Sequence, residues 1–463
     1  MTDLASAPAG NATDALRWSR EHLTRVQSER LRLTLQQCGD RHPHYAALWR
    51  QQDIDVSSIH SPAELARLPL TTKSDFLAAP DSFRLGPDQA APSQDLLWDV
   101  MYTTGSTTGQ PAAVYATAGD HYRHLAAARR EGEFIGLSRQ DTVANLLPLT
   151  PFPMGAYARS ASDAAAVGAA MVWCHTGRAD GDLQVHHSLD EAIDLVVGHR
   201  ATVLWGIASF VRRFLLRCVE RGVALPAVRM CLVTGEAVTE GLRSELARLM
   251  DEVDAAAHRV VNRYGATELG TSLYECAPRS GLHLLTPEDI HLETVDVDTG
   301  LPVPDGQPGA LAFTHLNRTG TVLLRYLLGD ITSLTLDPCD ACGRTTPRLL
   351  TPPTRSAGLV KVKATLVDLN ALHESLAALN AVHDVQILVT RADRTDPFSP
   401  DVLQIRAAAA PEAHTSLRDT IATLTTAVAL VRPEISFVLP GALFDPLAGS
   451  KAQYIVDRRG SGG

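Results

Sequence analysis

The chain has 463 residues, more than one hydrophobic core ordinarily serves, so its length predicts two or more domains. Apolar residues make up 45% and charged residues 20% of the chain, which is typical of a globular protein, and no apolar run approaches the roughly 18 residues of a membrane span. The net charge of −10 argues against a nucleic-acid partner, because such proteins usually carry a basic stripe.

At its N-terminus the chain has neither the basic region nor the apolar region of a signal peptide. We therefore expect a cytoplasmic protein. Leucines and a valine spaced among charges predict an amphipathic helix over 15–37. From about 95 to 330, short apolar runs alternate with helical patterns, which predicts βα units and a largely parallel sheet. The strands expected there lie at 142–147, 201–205, 228–234 and 259–264, and a turn at 300–309 precedes a further strand.

The C-terminal part has a different pattern. Paired prolines and small polar residues predict a linker over 343–358. Beyond it we expect helices at 367–380 and 411–427 and strands at 385–389, 402–406 and 434–438. The fold class predicted is therefore α/β, with a large N-terminal domain (1–355) of mixed or parallel sheets and helices joined by a hinge to a small α+β domain (356–463).

Three stretches carry residue types suited to phosphate and ribose chemistry. YTTGSTTGQP (102–111) combines glycines with hydroxyls that can surround phosphate oxygens, although no Walker lysine follows and a polar surface loop has the same composition. RYGATE (263–268) follows a predicted strand, where open α/β sheets bind ligands. LLRYLLGD (323–330) places Asp330 after a glycine at the expected end of a strand, where it is suited to ribose hydroxyls. An ordinary turn explains each of the last two equally well.

A fourth stretch, GSKAQYIVDRR (449–459), contains Lys451 in a Gly-Ser loop. Lysine is rare in this chain and occurs only at Lys73, Lys361, Lys363 and Lys451. A compact ammonium is not interchangeable with a guanidinium, so a retained lysine suggests a site that needs one. The alternative is a solvated surface lysine.

In this order and spacing, the four stretches resemble the AMP-forming adenylating superfamily, and in particular its phenylacetate–CoA ligase branch. LPLTTKSDF (68–76), TGEAVTE (234–240), the Cys276-to-His283 segment and CDACGRTTPR (339–348) resemble further motifs of that branch. The resemblance covers about 65–459. It implies an AMP-forming ligase that uses ATP and Mg²⁺, activates a small aromatic acid, and transfers it to CoA.

The resemblance also implies roles for individual residues. Lys451 would act as the catalytic cation, Thr267 would contact the α-phosphate, Glu268 would bind Mg²⁺ and Asp330 the ribose. The residues that would bind the nucleotide's phosphates and adenine are Thr103, Thr104, Gly105, Ser106, Thr107, Thr108, Gly109, Gly235, Glu236, Ala237, Tyr264 and Gly265. The residues suited to a flat ring in the acid pocket are Phe152, Met154, Tyr157 and Trp205, some of which equally suit the core.

Cysteine spacing predicts a metal site. Cys339 and Cys342 form a Cys-x₂-Cys pair before a glycine, and Cys276 and His283 lie seven positions apart upstream. Such pairs are typical of structural zinc, and four protein ligands leave no open position for chemistry. The alternative is a set of free cysteines, since the other thiols are scattered and expected to be reduced.

Two departures from the family pattern bear on whether CoA is the second reactant. Pro111 is followed by Ala112 where relatives often continue with lysine, and Arg355-Ser356 is followed by Ala357 where the family usually has a hinge aspartate. We therefore expect acyl-AMP formation with weak dependence on CoA. Three functions stay open: an aryl–CoA ligase, a diazotase that activates nitrite and diazotises an aromatic amine in secondary metabolism, and a catalytically inactive ATP-binding homologue. We expect a monomer or homodimer.

Overall fold

The structure is a computed structural model. It describes residues 14–87, 96–103, 111–149, 155–177, 186–236, 238–355, 359–362, 365–379, 381–393, 399–429, 431–439, 442–443 and 454–459. The α-helices are α1 (Arg20–Arg41), α2 (Pro43–Gln51), α3 (Lys73–Ala78), α4 (Ala118–Ile135), α5 (Gly155–Ala166), α6 (Leu189–Gly198), α7 (Ala208–Arg221), α8 (Glu240–Glu252), α9 (Leu369–Ala377) and α10 (His414–Ala429).

The strands of the N-terminal region are β1 (Leu97–Tyr102), β2 (Ala113–Thr117), β3 (Thr142–Asn145), β4 (Ala170–Trp173), β5 (Val203–Ile207), β6 (Met230–Thr234), β7 (Arg259–Gly265), β8 (Ser272–Glu275), β9 (Leu282–Leu284), β10 (Ile290–Val295), β11 (Pro308–His315), β12 (Tyr326–Thr335), β13 (Arg348–Leu349) and β14 (Thr354–Arg355). Those of the C-terminal region are β15 (Leu359–Val362), β16 (Thr365–Asp368), β17 (Asp384–Arg391), β18 (Asp401–Ala408), β19 (Glu434–Val438) and β20 (Ile455–Asp457).

The helices begin and end at residues suited to those positions. The Thr117 hydroxyl accepts a hydrogen bond from the backbone N–H of Asp120, and the Asp120 carboxylate accepts one from the backbone N–H of Thr117, so a capping box starts α4. Gly136 ends the same helix with φ 73°, a left-handed conformation that glycine adopts without strain. Thr72 and Asp75 form the corresponding capping box at the start of α3.

One large sheet organises the N-terminal region. Among the described residues its twelve strands run in the order β10-β11-β12-β13-β9-β8-β7-β6-β5-β3-β4, with β14 paired to β12. Strands β7, β6, β5, β3 and β4 are parallel neighbours, and from β7 through β8 onward the pairing is antiparallel. The parallel strands predicted from apolar runs are confirmed, and the amphipathic helix predicted at 15–37 is confirmed as α1, shifted a few residues toward the C-terminus. Carboxyl ends of parallel strands share one edge, where open α/β sheets bind ligands.

The three largest hydrophobic clusters of the described residues pack against these sheets. One surrounds the parallel strands, and the second joins the antiparallel strands to α1–α3. The third, from Val362 to Val431, lies between a four-stranded sheet (β19-β18-β17-β20) and helices α9 and α10. This smaller α+β region confirms the predicted fold class, and it has a hydrophobic core of its own.

The predicted linker over 343–358 is wrong for residues 343–355, and residues 356–358 lie outside the described residues. Strand β13 pairs with both β9 and β12, and β14 pairs with β12. Arg348 is buried and its Nη1 donates to the Ser280 carbonyl at 2.6 Å. The prolines fall between these short strands, where no ladder hydrogen bond is needed, so proline content did not indicate a linker here. Among the described residues, no helix combines the length and apolar character needed to cross a bilayer.

Candidate active site

A cavity of about 890 Å³ lies at the carboxyl edge of the parallel strands. The N-terminal region contributes residues from the ends of β6 and β7, from α5 and from β12. The C-terminal region contributes residues of α9 and the segment around β20, including His373 and Tyr454, whose rings lie 4.8 Å apart. The cavity therefore lies between the two regions, and its size is within the range of small-molecule sites.

Thr103 closes the base of the predicted phosphate loop. Its N–H donates to the Ala112 carbonyl and its Oγ1 accepts from the Ala112 N–H, both at 3.0 Å. Thr103 lines the cavity. The remaining predicted residues of this loop, 104–109, lie outside the described residues.

The segment after β6 forms a second side of the cavity. Gly235 has φ 82°, which a side chain would strain. The Glu236 carboxylate accepts hydrogen bonds from the Ser209 N–H at 2.9 Å and from its Oγ at 2.8 Å, so it faces the first turn of α7, where a helix favours negative charge. Both residues line the cavity, and Ala237 lies outside the described residues.

The segment after β7 contributes hydroxyl and acidic groups. The Tyr264 hydroxyl donates to Oδ2 of Asp330 at 2.7 Å, and the Thr267 hydroxyl donates to the Tyr102 carbonyl at 3.4 Å. A side chain at Gly265 would meet the Ser272 hydroxyl at 3.0 Å, so glycine fits this crossing of β7 and β8. Asp330 lies inside β12 and not at the end of a strand as predicted, because β12 continues to Thr335.

Glu268 is buried and holds two partners. Its Oε1 accepts from the Tyr326 hydroxyl at 3.4 Å and lies 3.8 Å from Nζ of Lys73. Sequence reasoning did not assign Lys73 to the site, although it is one of the few lysines and lies in the 68–76 motif. The paired ammonium offsets the cost of burying the Glu268 carboxylate.

The predicted acid pocket is only partly described. Tyr157 lines the cavity, while Phe152 and Met154 lie outside the described residues. Trp205 is 1% exposed and belongs to the core around the parallel strands, under the Arg263 guanidinium at 5.4 Å. Its burial favours a structural role for Trp205 in the core over a role in the acid pocket.

Arg159 on α5 lines the same part of the cavity and was not predicted. Burial lowers the pKa of its guanidinium to about 10, and the neighbouring charge of Arg318 acts in the same direction. Asp99 and Asp163 oppose this. Two guanidinium groups and two carboxylates therefore act on Arg159 in opposite directions.

Lys451 lies outside the described residues. The chain beyond it returns to the cavity, since Tyr454, Ile455 and Asp457 line it and β20 pairs with β17. Tyr454 is adjacent to the Ser209 hydroxyl, near the first turn of α7. The segment that follows the predicted catalytic lysine thus reaches the site.

The four predicted metal ligands meet in space. The ligand atoms of Cys276, His283, Cys339 and Cys342 all lie within 4.8 Å of one another. The Sγ atoms of Cys276 and Cys339 are 3.8 Å apart, and Cys342 Sγ is 3.7 Å from His283 Nε2. A tetrahedral zinc, with bonds of about 2.3 Å to sulfur and about 2.0 Å to nitrogen, separates its ligand atoms by about 3.5–3.8 Å, so the cluster fits this ion.

The surroundings of the cluster suit metal binding as well. Burial, with Arg348 and Arg344 nearby, lowers the pKa of His283 to about 3, so its imidazole is neutral near pH 7. Its Nδ1 lies 3.1 Å from the Thr346 hydroxyl, and a proton donated there leaves the Nε2 lone pair toward the cysteines. Burial raises the pKa of Cys276 to about 12, a cost that a bound cation would offset.

Comparisons with known proteins give a consistent result. A family model described as AMP-binding enzyme matches residues 25–319. The phenylacetate-coenzyme A ligase of Thermus thermophilus is 27% identical over 336 residues, 71% of this chain and 69% of that protein. The enzyme of the same name from Pseudomonas putida is 23% identical over 336 residues, 71% of each chain.

Solved structures show the same fold. A 2-hydroxyisobutyryl-CoA ligase in the postadenylation state superposes with a TM-score of 0.80 at 18% identity, covering 98% of this chain and 94% of that one. An anthranilate CoA ligase bound to anthranoyl-AMP gives a TM-score of 0.55 at 17% identity, covering 78% and 66%.

Proposed function

The chain belongs to the AMP-binding enzyme family and is an AMP-forming ligase, and we propose that it uses ATP to adenylate a small aromatic carboxylic acid. The family resemblance predicted from the motifs is confirmed by this match. The aromatic substrate is supported by the names of the relatives, which are phenylacetate-coenzyme A ligases.

One observation carries the proposal: residues from four separated motifs line a single cavity. Those residues are Thr103, Gly235, Glu236, Tyr264, Gly265, Thr267, Glu268 and Asp330. Each motif alone allows an ordinary turn, but turns have no reason to converge on one edge of a parallel sheet. A nucleotide site requires such residues to lie together at the carboxyl edge of the parallel strands.

In the proposed reaction, an oxygen of the acid's carboxylate attacks the α-phosphorus of ATP. The bond from that phosphorus to the oxygen bridging to the β-phosphate breaks, and pyrophosphate leaves with the electron pair. Asp330 holds the ribose, Thr267 contacts the α-phosphate, and Lys451 offsets the negative charge of both reactants. Glu268 would hold Mg²⁺, which spreads charge over the phosphates. Positioning and charge neutralisation supply most of the catalysis in such transfers.

The zinc proposed at Cys276, His283, Cys339 and Cys342 is structural. The cluster joins the β8–β9 hairpin to the turn between β12 and β13. It leaves no open coordination position for chemistry.

The proposal also concerns the second reactant. Transfer to CoA is what the relatives' names support. The sequence Arg355-Ser356-Ala357, without the family's usual hinge aspartate, instead favours a second candidate that activates nitrite. In that reaction a nitrite oxygen attacks the α-phosphorus and pyrophosphate leaves. An aromatic amine then attacks the resulting nitrosyl nitrogen, AMP leaves, and the protonated nitrosamine loses water to give the diazonium ion.

Pyrophosphate release by the full-length protein tests the proposal. We expect release with ATP, Mg²⁺ and an aromatic acid such as benzoate or an aminobenzoate, and its loss in Glu268→Gln but not in the control Glu133→Gln on the exposed side of α4. Repeating the assay with CoA, and with nitrite plus 3-aminobenzoate, identifies the second reactant. Absence of release under every condition, from folded protein, would refute an adenylating activity and leave the inactive homologue.

A further inference from the structure

Arg159 has a defined place in the cavity wall. It lies one helical turn after Gly155, the first residue of α5, and residues at i and i+4 share one face of a helix. A side chain at Gly155 would lie 3.5 Å from the Thr267 hydroxyl, so α5 enters the cavity next to the proposed α-phosphate contact. Arg159 therefore lies farther along the acid pocket, on the wall that also carries Tyr157.

The acidic groups near Arg159 have other partners or lie at a distance. Asp163 lies 3.0 Å from Nε2 of His124 and 3.8 Å from Nη2 of Arg263. The charges of Asp99 on β1 and of Asp163 both raise the pKa of Arg159. Among the residues that the structure describes, no carboxylate lies within 4 Å of the Arg159 guanidinium.

Two cations act on Arg159 in the direction opposite to these carboxylates. Arg263 and Arg318 both act on it with the same sign. Because no carboxylate of the described residues pairs directly with Arg159, an anion that binds at contact distance would stabilise this partly buried guanidinium. A guanidinium forms its strongest contacts with carboxylates, which it binds with two parallel N–H donors.

We propose that Arg159 binds a free carboxylate of the aromatic substrate, one that stays unreacted while a different anion is adenylated. This inference rests on the proposed adenylation. It narrows the substrate class to an aromatic ring with an acidic group at the end far from ATP. An aromatic dicarboxylate belongs to this substrate class if one of its carboxylates is adenylated and the other stays free. An aromatic amino acid belongs to the class if nitrite is the anion that is adenylated.

Matched substrates and variants of the full-length protein test the inference. Pyrophosphate release is measured with benzoate, with isophthalate, and with nitrite plus 3-aminobenzoate or aniline. In the wild type we expect the KM for isophthalate to be at least about tenfold lower than the KM for benzoate. The KM for 3-aminobenzoate should likewise be at least about tenfold lower than that for aniline, which is the difference expected from a charge-assisted hydrogen bond. Arg159→Gln should bring the ratio of the two KM values in each pair close to one, and Arg159→Lys should restore part of the preference. The exposed Arg129→Gln on α4 is the control.

A second measurement separates this inference from the proposed function. Isophthalate should raise the Tm of the wild type and of Arg129→Gln, but not of Arg159→Gln. If pyrophosphate is released and the wild type shows no preference, or Arg159→Gln keeps it, the inference is overturned and adenylation stands. If no pyrophosphate is released but the Tm shift depends on Arg159, adenylation fails and the carboxylate site stands. A Tm shift equal in wild type and Arg159→Gln, without release, refutes both.

Discussion

The Tyr264 hydroxyl donates a 2.7 Å hydrogen bond to Oδ2 of Asp330 and so ties the end of β7 to β12 across the cavity. Asp330 is buried, and this bond holds one oxygen of its carboxylate. The same bond fixes the Tyr264 ring beside the cavity, where we propose that adenine and ribose bind. The two residues are thus one unit in the nucleotide site.

This pairing predicts two different effects on ATP binding. Asp330→Ala removes the proposed ribose acceptor and should raise the KM for ATP by about tenfold or more, as expected for a hydrogen bond to a charged group. Tyr264→Phe keeps the ring and removes one hydrogen bond, so its effect should be about two- to tenfold. Kinetics at varied ATP measure both. If Asp330→Ala leaves the KM for ATP unchanged, Asp330 does not hold the ribose.

Lys451→Ala should lower kcat by several hundredfold or more, in line with about 2.7–4 kcal/mol for losing one group that stabilises charge in the transition state. ATP affinity should be nearly unchanged, because the other proposed nucleotide contacts come from the N-terminal region. Pyrophosphate release gives kcat, and equilibrium binding of a fluorescent ATP analogue gives the affinity. Near-normal release by this variant would remove the catalytic role, and Lys361→Ala is the matched control.

Particular residues show what the sequence could predict. The parallel strands β3, β5, β6 and β7 were predicted from short apolar runs, whereas β4 was not among the predicted strands, and β19 matched its predicted range. The four residues of the proposed metal site could be predicted to lie together because cysteine spacing is a local signal, and the structure brings them together. Lys73, Arg159 and the Tyr264–Asp330 pair depend on which strands and helices lie side by side, and no local pattern encodes that. Residues 343–355 were misread because their pairing partners, β9 and β12, are distant in sequence.

The Cys276–His283–Cys339–Cys342 cluster predicts about one equivalent of zinc in protein purified without chelators. Cys342→Ser should lose the metal and lower the Tm together, because metal binding is coupled to folding. Cys231→Ala, at a buried thiol outside the cluster, should keep the zinc and serves as the control. Elemental analysis and thermal unfolding measure the two quantities. Protein without metal, or Cys342→Ser with full zinc content, would contradict the site.

The contact between the two regions contains a carboxyl group whose protonation should affect stability. The Arg212 guanidinium is paired with Glu245 at 2.9 Å and donates to the His383 carbonyl at 2.6 Å, next to Asp384. Burial raises the pKa of Asp384 from 3.8 to about 6, with Arg212 opposing and Glu245 and Glu236 reinforcing the shift. The folded protein therefore binds this proton more tightly than the unfolded chain does.

The sign of the pH effect follows from this shift. Because the folded state holds the proton more tightly, the contribution of Asp384 to stability falls as pH rises from about 4 to about 6 and stays low above that. Asp384→Asn stays neutral, so its Tm should exceed that of the wild type at pH 7–8 and approach it below pH 4. Asp419→Asn, at an exposed position on α10, should show no such pH-dependent difference. An Asp384→Asn protein no more stable than wild type at pH 8 would mean that the carboxylate is not buried between the regions in solution. The expected result means instead that ionised Asp384 weakens the contact near neutral pH, which favours separation of the C-terminal region from the cavity after adenylation.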